Sequence, residues 1–200
     1  MAITQTIDAV RDWCQTNICN KILLKSPDDS AVDETYPYKL VHPTVFSQFH
    51  PTGDKTTDGI QAIPSVVVRA TNGTDRLITH QRETHMSILL TVWNPGLHGA
   101  DMISPNNGNE KSYSLGSGGF IKNDDGWRDA FNFLDYFLRT LENAEFIDGF
   151  RMKKENGITF EQPTLENSPK WMGYPYWFAS LEFDLEEPIE RRHDTYDDLL

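Results

Sequence analysis

Three aspartates, Asp124, Asp125 and Asp129, stand where a helix is expected to begin. Carboxylates three to five residues apart at such a place can converge on a divalent cation, and with a histidine they would make a metal-dependent hydrolase. A simpler use competes: Asp124 or Asp125 caps the helix by accepting its orphan amide bonds, while Asp129 adds a favourable charge near the positive end of the helix dipole. Capping is the reading carried forward. His80 and His85 bracket Gln81-Arg82-Glu83-Thr84. At that spacing along a strand start their rings aim to opposite faces, and no thiol or carboxylate stands at a zinc-ligand interval. They read as polar strand-end histidines. Gly116-Ser117-Gly118-Gly119 lacks the Lys-Ser/Thr of a phosphate-binding loop. There is no Gly-x-Ser-x-Gly elbow, and neither Cys14 nor Cys19 has the setting of a thiol nucleophile. No catalytic residue, metal site or cofactor is assigned, and the chain is not expected to be an enzyme.

A different chemistry lies in the aromatic segment Trp171-Met172-Gly173-Tyr174-Pro175-Tyr176-Trp177-Phe178. Base stacking on nucleic acid would call for basic neighbours, and only Lys170 is present. Two readings remain: packing on the approach to the last strand, and a subunit interface, where Trp and Tyr are enriched. Trp171, Tyr174 and Tyr176 are therefore candidate interface residues. His98, Tyr113 and Phe120 join them from the stretch Pro95 to Asn123, which is rich in Gly, Ser, Asn and Pro; a link of that length is disordered or used in partner contacts.

Charge narrows the partners. The 200 residues carry a net charge of −12, of which residues 1–100 hold −2 and residues 101–200 hold −10. That balance argues against gripping nucleic acid, because phosphate binding depends on Lys and Arg that displace counterions. It leaves room for a surface past which nucleic acid slides. The first residues show no basic region followed by an apolar run, and nowhere do ~18 apolar residues follow one another, so neither a secretion signal nor a membrane span is expected. Cys14 and Cys19 read as buried or free thiols rather than a disulfide.

The elements that position these residues follow from periodicity. Ile3, Ile7, Val10, Cys14 and Ile18 mark a first helix. Val41 to Phe49 reads as a short strand, placed at a sheet edge by Pro43. Ile63 to Ala70 is a β-branched strand, and Thr84 to Trp93 is its partner, with Met86, Ile88, Leu90 and Val92 on one face and Asn72-Gly73 in the connecting turn segment. The most marked helix runs from Asp125 to Glu142, with Ala130, Phe131, Leu134, Phe137, Leu138 and Leu141 on one stripe. Phe150–Glu155 and Ile158–Glu161 flank Asn156-Gly157 as a hairpin. Trp177, Ala179, Leu181, Phe183 and Leu185 alternate with polar residues in the last strand. The expectation is one α+β domain over residues 1–188, a mainly antiparallel or mixed sheet covered on one face by two helices, with a long loop insertion at 95–123 and an acidic tail at 189–200.

This order resembles the tail terminator (tail completion) proteins of tailed bacteriophages. The likeness rests on the N-terminal helix, Ile63-Pro64-Ser65-Val66-Val67-Val68-Arg69, the long strand ending Leu90-Thr91-Val92-Trp93, the Asp125-Gly126-Trp127-Arg128-Asp129 opening of an aromatic helix ending Arg139-Thr140-Leu141, and the final strand after Tyr174-Pro175-Tyr176-Trp177. It spans nearly the whole chain. It implies a non-enzymatic assembly protein in the virion, at the neck end of the tail and assembled in the host bacterial cytoplasm. Such a protein forms a ring, hexameric in the family, that caps the tail tube, ends its polymerisation and meets the head connector. DNA would pass through without specific binding. A head-side neck or head completion protein is the nearest alternative.

Overall fold

The computed structural model describes residues 3–27, 36–51, 62–98, 119–161 and 173–188. In order, these hold α1 (Ile3–Asn17), β1 (Leu24–Pro27), β2 (Tyr38–Val41), β3 (Thr44–Ser47), β4 (Ser65–Arg76), β5 (Gln81–Trp93), β6 (Gly96–His98), β7 (Phe120–Lys122), α2 (Trp127–Glu142), β8 (Phe146–Ile147), β9 (Phe150–Met152), β10 (Thr159–Glu161) and β11 (Tyr176–Pro188). The fold is α+β. A seven-stranded sheet runs β3-β4-β5-β11-β9-β8, with β10 also paired to β11, and β1-β2 and β6-β7 form two small ribbons. Among the described residues no helix is long and apolar enough to cross a membrane.

The centre is the ladder between β5 and β11, antiparallel from Tyr176↔Trp93 to Pro188↔Gln81. Strict alternation puts Met86, Ile88, Leu90 and Val92 beside Leu181, Phe183 and Leu185 on one face, all of them buried. Both helices pack there: Val10 and Cys14 of α1 and Leu134, Phe137 and Leu141 of α2 share one core cluster with that face. Trp13 and Phe137 link the helices, with ring centroids 6.4 Å apart. The two cysteines are free and buried. Burial pushes the Cys14 thiol well above its usual range, with Cys19 adding to it, and burial raises Cys19 to about 12, so both stay protonated and unreactive. The expected strand from Val41 to Phe49 is broken at Pro43: Val41 ends β2, and β3 begins at Thr44, lies at the edge of the described sheet and runs parallel to β4.

Several elements depart from the sequence expectation. The buried stripe of α2 is Ala130, Phe133, Leu134, Phe137 and Leu141; Phe131 and Leu138 flank it, half-buried. Asn72-Gly73 is not a turn. β4 runs on to Arg76, with a bulge between Ala70 and Asn72, and the absent Cβ of Gly73 lets the Glu83 carbonyl come close, since a Cβ there would lie 2.8 Å from it. β9 and β10 do not form a hairpin either. Both pair antiparallel with β11, one after the other along the same edge, and Lys154–Asn156 between them is a single 3-10 turn. The ends of the 95–123 stretch are a paired ribbon, Gly96↔Lys122 to His98↔Phe120, made possible by Gly96 at φ +147, where a Cβ would strike the Ile121 carbonyl. Neither Asp124 nor Asp125 caps α2 through its side chain. Gly126 is the cap residue in an αR conformation, pressed so close to Trp177 that a Cβ would lie 2.1 Å from its indole nitrogen.

Candidate functional site

One end of the β5–β11 ladder is closed by aromatic rings. Trp93 and its register partner Tyr176 pack with Ala62, Ile63, Tyr36 and Tyr38. The Tyr36 ring lies 5.1 Å from Phe120 and 6.2 Å from Tyr174 between centroids, and His98 lies 4.5 Å from Tyr38 and 5.0 Å from Phe120. Four of the candidate interface residues, His98, Phe120, Tyr174 and Tyr176, thus come together from β6, β7 and the start of β11. Tyr113 and Trp171 lie outside the described residues. His98 is buried and the three aromatics are half-buried, so their rings join the strands of one chain to each other.

Polar atoms fix this cluster. The His98 Nε2 stands 2.7 Å from the Tyr36 carbonyl, and its Nδ1 stands 3.4 Å from Lys25 Nζ. A carbonyl only accepts and an ammonium only donates, so the proton is on Nε2 and Nδ1 accepts. The Tyr174 hydroxyl donates to the Pro95 carbonyl at 2.5 Å, and Lys122 Nζ lies 4.2 Å from the Tyr174 ring centre. Burial, with the Tyr36 and Asp124 groups nearby, pushes the Tyr174 phenol up to about 12. Asn94 ties the cluster to α2. Its carbonyl accepts the Trp177 indole N–H at 2.9 Å, its side-chain amide donates to Asp129 at 2.6 Å, and its side-chain oxygen accepts the Gly96 N–H at 2.9 Å. Asp129 is therefore spent on Asn94, and Asp125 faces Arg128 at 3.5 Å. Among the described residues no group of three His, Cys, Asp or Glu side chains could hold a metal ion.

The other end of the ladder is charged. On the helix-side face, Asp75, Arg82 and Glu187 are cross-strand neighbours by register. Arg82 meets Asp75 at 2.5 and 3.0 Å and Glu187 at 3.1 Å. The Glu187 side chain is only 3% exposed, and the guanidinium is held further above its already high range, chiefly by the Asp75 hydrogen bond. On the opposite face His85 reaches its register partner Asp184 through Nδ1 at 2.6 Å and Glu182 through Nε2 at 3.2 Å. Two carboxylate partners call for a proton on each ring nitrogen. Burial lowers the imidazole pKa, but the two carboxylates outweigh it and leave the net shift upward. Asp184 has the mirror balance: burial raises it, while His85 and Asn156 bring it below its usual value. Glu83 accepts from Lys153 and Arg76, each at 3.0 Å, and burial only partly offsets their lowering of its pKa.

Sequence reasoning missed this network. Its signal was the alternation Glu182, Asp184, Glu186 on the wet face of β11, which reads only as solvated until the register sets it against His85 and Glu83. Beyond the network, Leu77 and Ile78 form the tip of the β4–β5 arm, 76% and 96% exposed.

No protein-family model and no curated protein matches this chain.

Proposed function

We propose that this chain is a structural, non-enzymatic subunit of virion assembly in a tailed bacteriophage. Copies of it close into a ring, six in number by the family resemblance, that caps the finished tail tube, stops its growth and offers a joint to the head connector. The observation that carries this reading is the β4–β5 arm, which ends in bare Leu77 and Ile78 beyond a charged clasp. Two neighbouring apolar side chains left exposed at the end of an arm would suit a contact with another subunit, and a ring closes through patches that differ on the two sides of each subunit. The aromatic end fixes the ribbon of Gly96–His98 and Phe120–Lys122. The surplus of acidic residues suits a bore that DNA traverses without adhering. Deleting the chain from an infecting phage tests the proposal: tails of uncontrolled length are expected. Normal tails that fail to join heads would instead assign it to the head side of the neck, and unchanged virions would refute both placements.

A further inference from the structure

We propose that Glu182 is a two-position carboxylate: it bridges to His85 while the imidazole is protonated, and turns across Ser87 to the Arg69 guanidinium once the imidazole loses a proton. The proposal stands apart from the ring reading. Arg69, Ser87 and Glu182 are successive register partners on β4, β5 and β11. Val66 and Val68 on β4 share the core with the helices, so the Arg69 row leaves the sheet on the face turned away from them. Strands in a ladder lie ~4.8 Å apart, which puts the Arg69 and Glu182 backbones about 10 Å from each other. Only the short Ser87 side chain stands between, and an extended arginine and a glutamate together span that gap. Arg69 is the unsatisfied member of the row. Its Nε is buried with no hydrogen-bond partner, and its guanidinium meets no carboxylate among the described residues. A buried polar atom in that state carries a cost that a charge-assisted bond would offset.

The geometry at His85 supplies the trigger. Its Nδ1 lies 2.6 Å from Asp184 and its Nε2 lies 3.2 Å from Glu182. Neutral imidazole keeps one proton. Asp184 makes the shorter bond and is the less exposed acid, 18% against 42% for Glu182, so the proton on Nδ1 stays and the one on Nε2 goes to solvent. The Nε2 lone pair then faces the Glu182 carboxylate, acceptor against acceptor, and the more exposed Glu182 is the group free to turn. The other charges on this face are engaged: Glu83 with Lys153 and Arg76, Asp184 with Asn156 at 2.7 Å, and Glu186 with Arg151 at 3.0 Å. From β10 come Thr159, opposite Glu182, and Glu161, opposite Ser180, the latter a like charge that gives Glu182 no place to go. Within β4, β5 and β11, Arg69 is left as a cation without an acid among the described residues. In its first position Glu182 ties β11 to β5. In its second it ties β11 to β4 across β5, bracing the root of the arm.

Crystals of the full wild-type chain at about pH 5 and about pH 9, on either side of the histidine range, test the two positions directly. Glu182 is expected at the His85 Nε2 in the acid form and within ion-pairing distance of the Arg69 guanidinium in the alkaline form. NMR titration of the His85 ring reads the same switch in solution. Arg69→Met, with Arg69→Gln as a second variant should the first not fold, removes the rival site for Glu182 and is expected to raise the His85 pKa by roughly 0.5 or more. In the Glu182→Gln background the same substitution is expected to leave only a small through-space shift. Glu182 that stays on the His85 Nε2, or lies in solvent, while the imidazole is neutral overturns the proposal. So does an Arg69→Met shift that is absent, or equally large with and without the Glu182 carboxylate.

Discussion

The two ends of the β5–β11 ladder are built from the same paired strands but closed by different forces. At Trp93 and Tyr176 the closure is chiefly by packed rings, whose attraction is short-ranged. At Gln81 and Pro188 it is by ions: Asp75, Arg82 and Glu187 on one face, and His85, Asp184 and Glu182 on the other. An aromatic plug holds a loop base still. A charged clasp leaves an arm attached yet responsive to its surroundings, and the arm is where Leu77 and Ile78 stay bare.

The largest expected effect breaks the aromatic end. Trp93→Ala should cost about 3–5 kcal/mol, through lost transfer energy and a cavity that Tyr36 and Tyr176 cannot fill; urea unfolding measures it, and a loss below about 1 kcal/mol would show that the rings do not close this end. Next, Arg82→Met attacks the clasp by leaving Glu187 buried without its cation. Removing one partner of a buried pair costs more than the pair itself contributes, but Asp75 is half-exposed and screened, so about 1–3 kcal/mol is expected in the same assay. Restoring stability with Arg82→Met/Glu187→Leu would confirm that the stranded carboxylate is the cause.

A smaller effect sharpens the contrast. The His85 pKa is raised in the fold, so its contribution is fully present below the unfolded value of 6.5 and is lost as pH rises through the higher folded value. Asp184 is lowered, so its contribution is present above 3.8 and is lost as pH falls through the lower folded value. The pair therefore stabilises most between these limits. His85→Gln should remove part of the decline in stability on the alkaline side, whereas Trp93→Ala should keep that slope. Parallel stability profiles for wild type and His85→Gln between about pH 6 and 9 would rule the network out as the source. Smallest of all, Leu77→Ser/Ile78→Ser should change the stability of the isolated subunit by no more than about 0.5 kcal/mol, because both side chains are largely exposed.

The same contrast governs what was legible in the residues. Period two in β5 and β11 and period 3.6 in α2 placed the apolar core, because burial there depends on one chain segment at a time. Phe133 slipped from the stripe because neighbouring positions share the edge of a helical face, and only docking on the sheet decides between them. The apparent hairpin at Asn156-Gly157 failed for a related reason: a turn signal is local, while the long edge of β11 accepts both flanking strands in succession. Gly126 owes its place to Trp177, some fifty residues away, which no local pattern reveals. The aromatic candidates were found by type, but their meeting point needed β6 and β7 to pair. The clasp was hidden most thoroughly, since Asp75, Arg82 and Glu187 become neighbours only through strand register.

Native mass spectrometry of the wild-type chain tests the central claim most directly. A single closed multimer, with a six-fold mass and no open-ended ladder of higher oligomers, is the predicted result. A monomer across the whole concentration range would contradict the reading of this chain as a ring-forming assembly subunit.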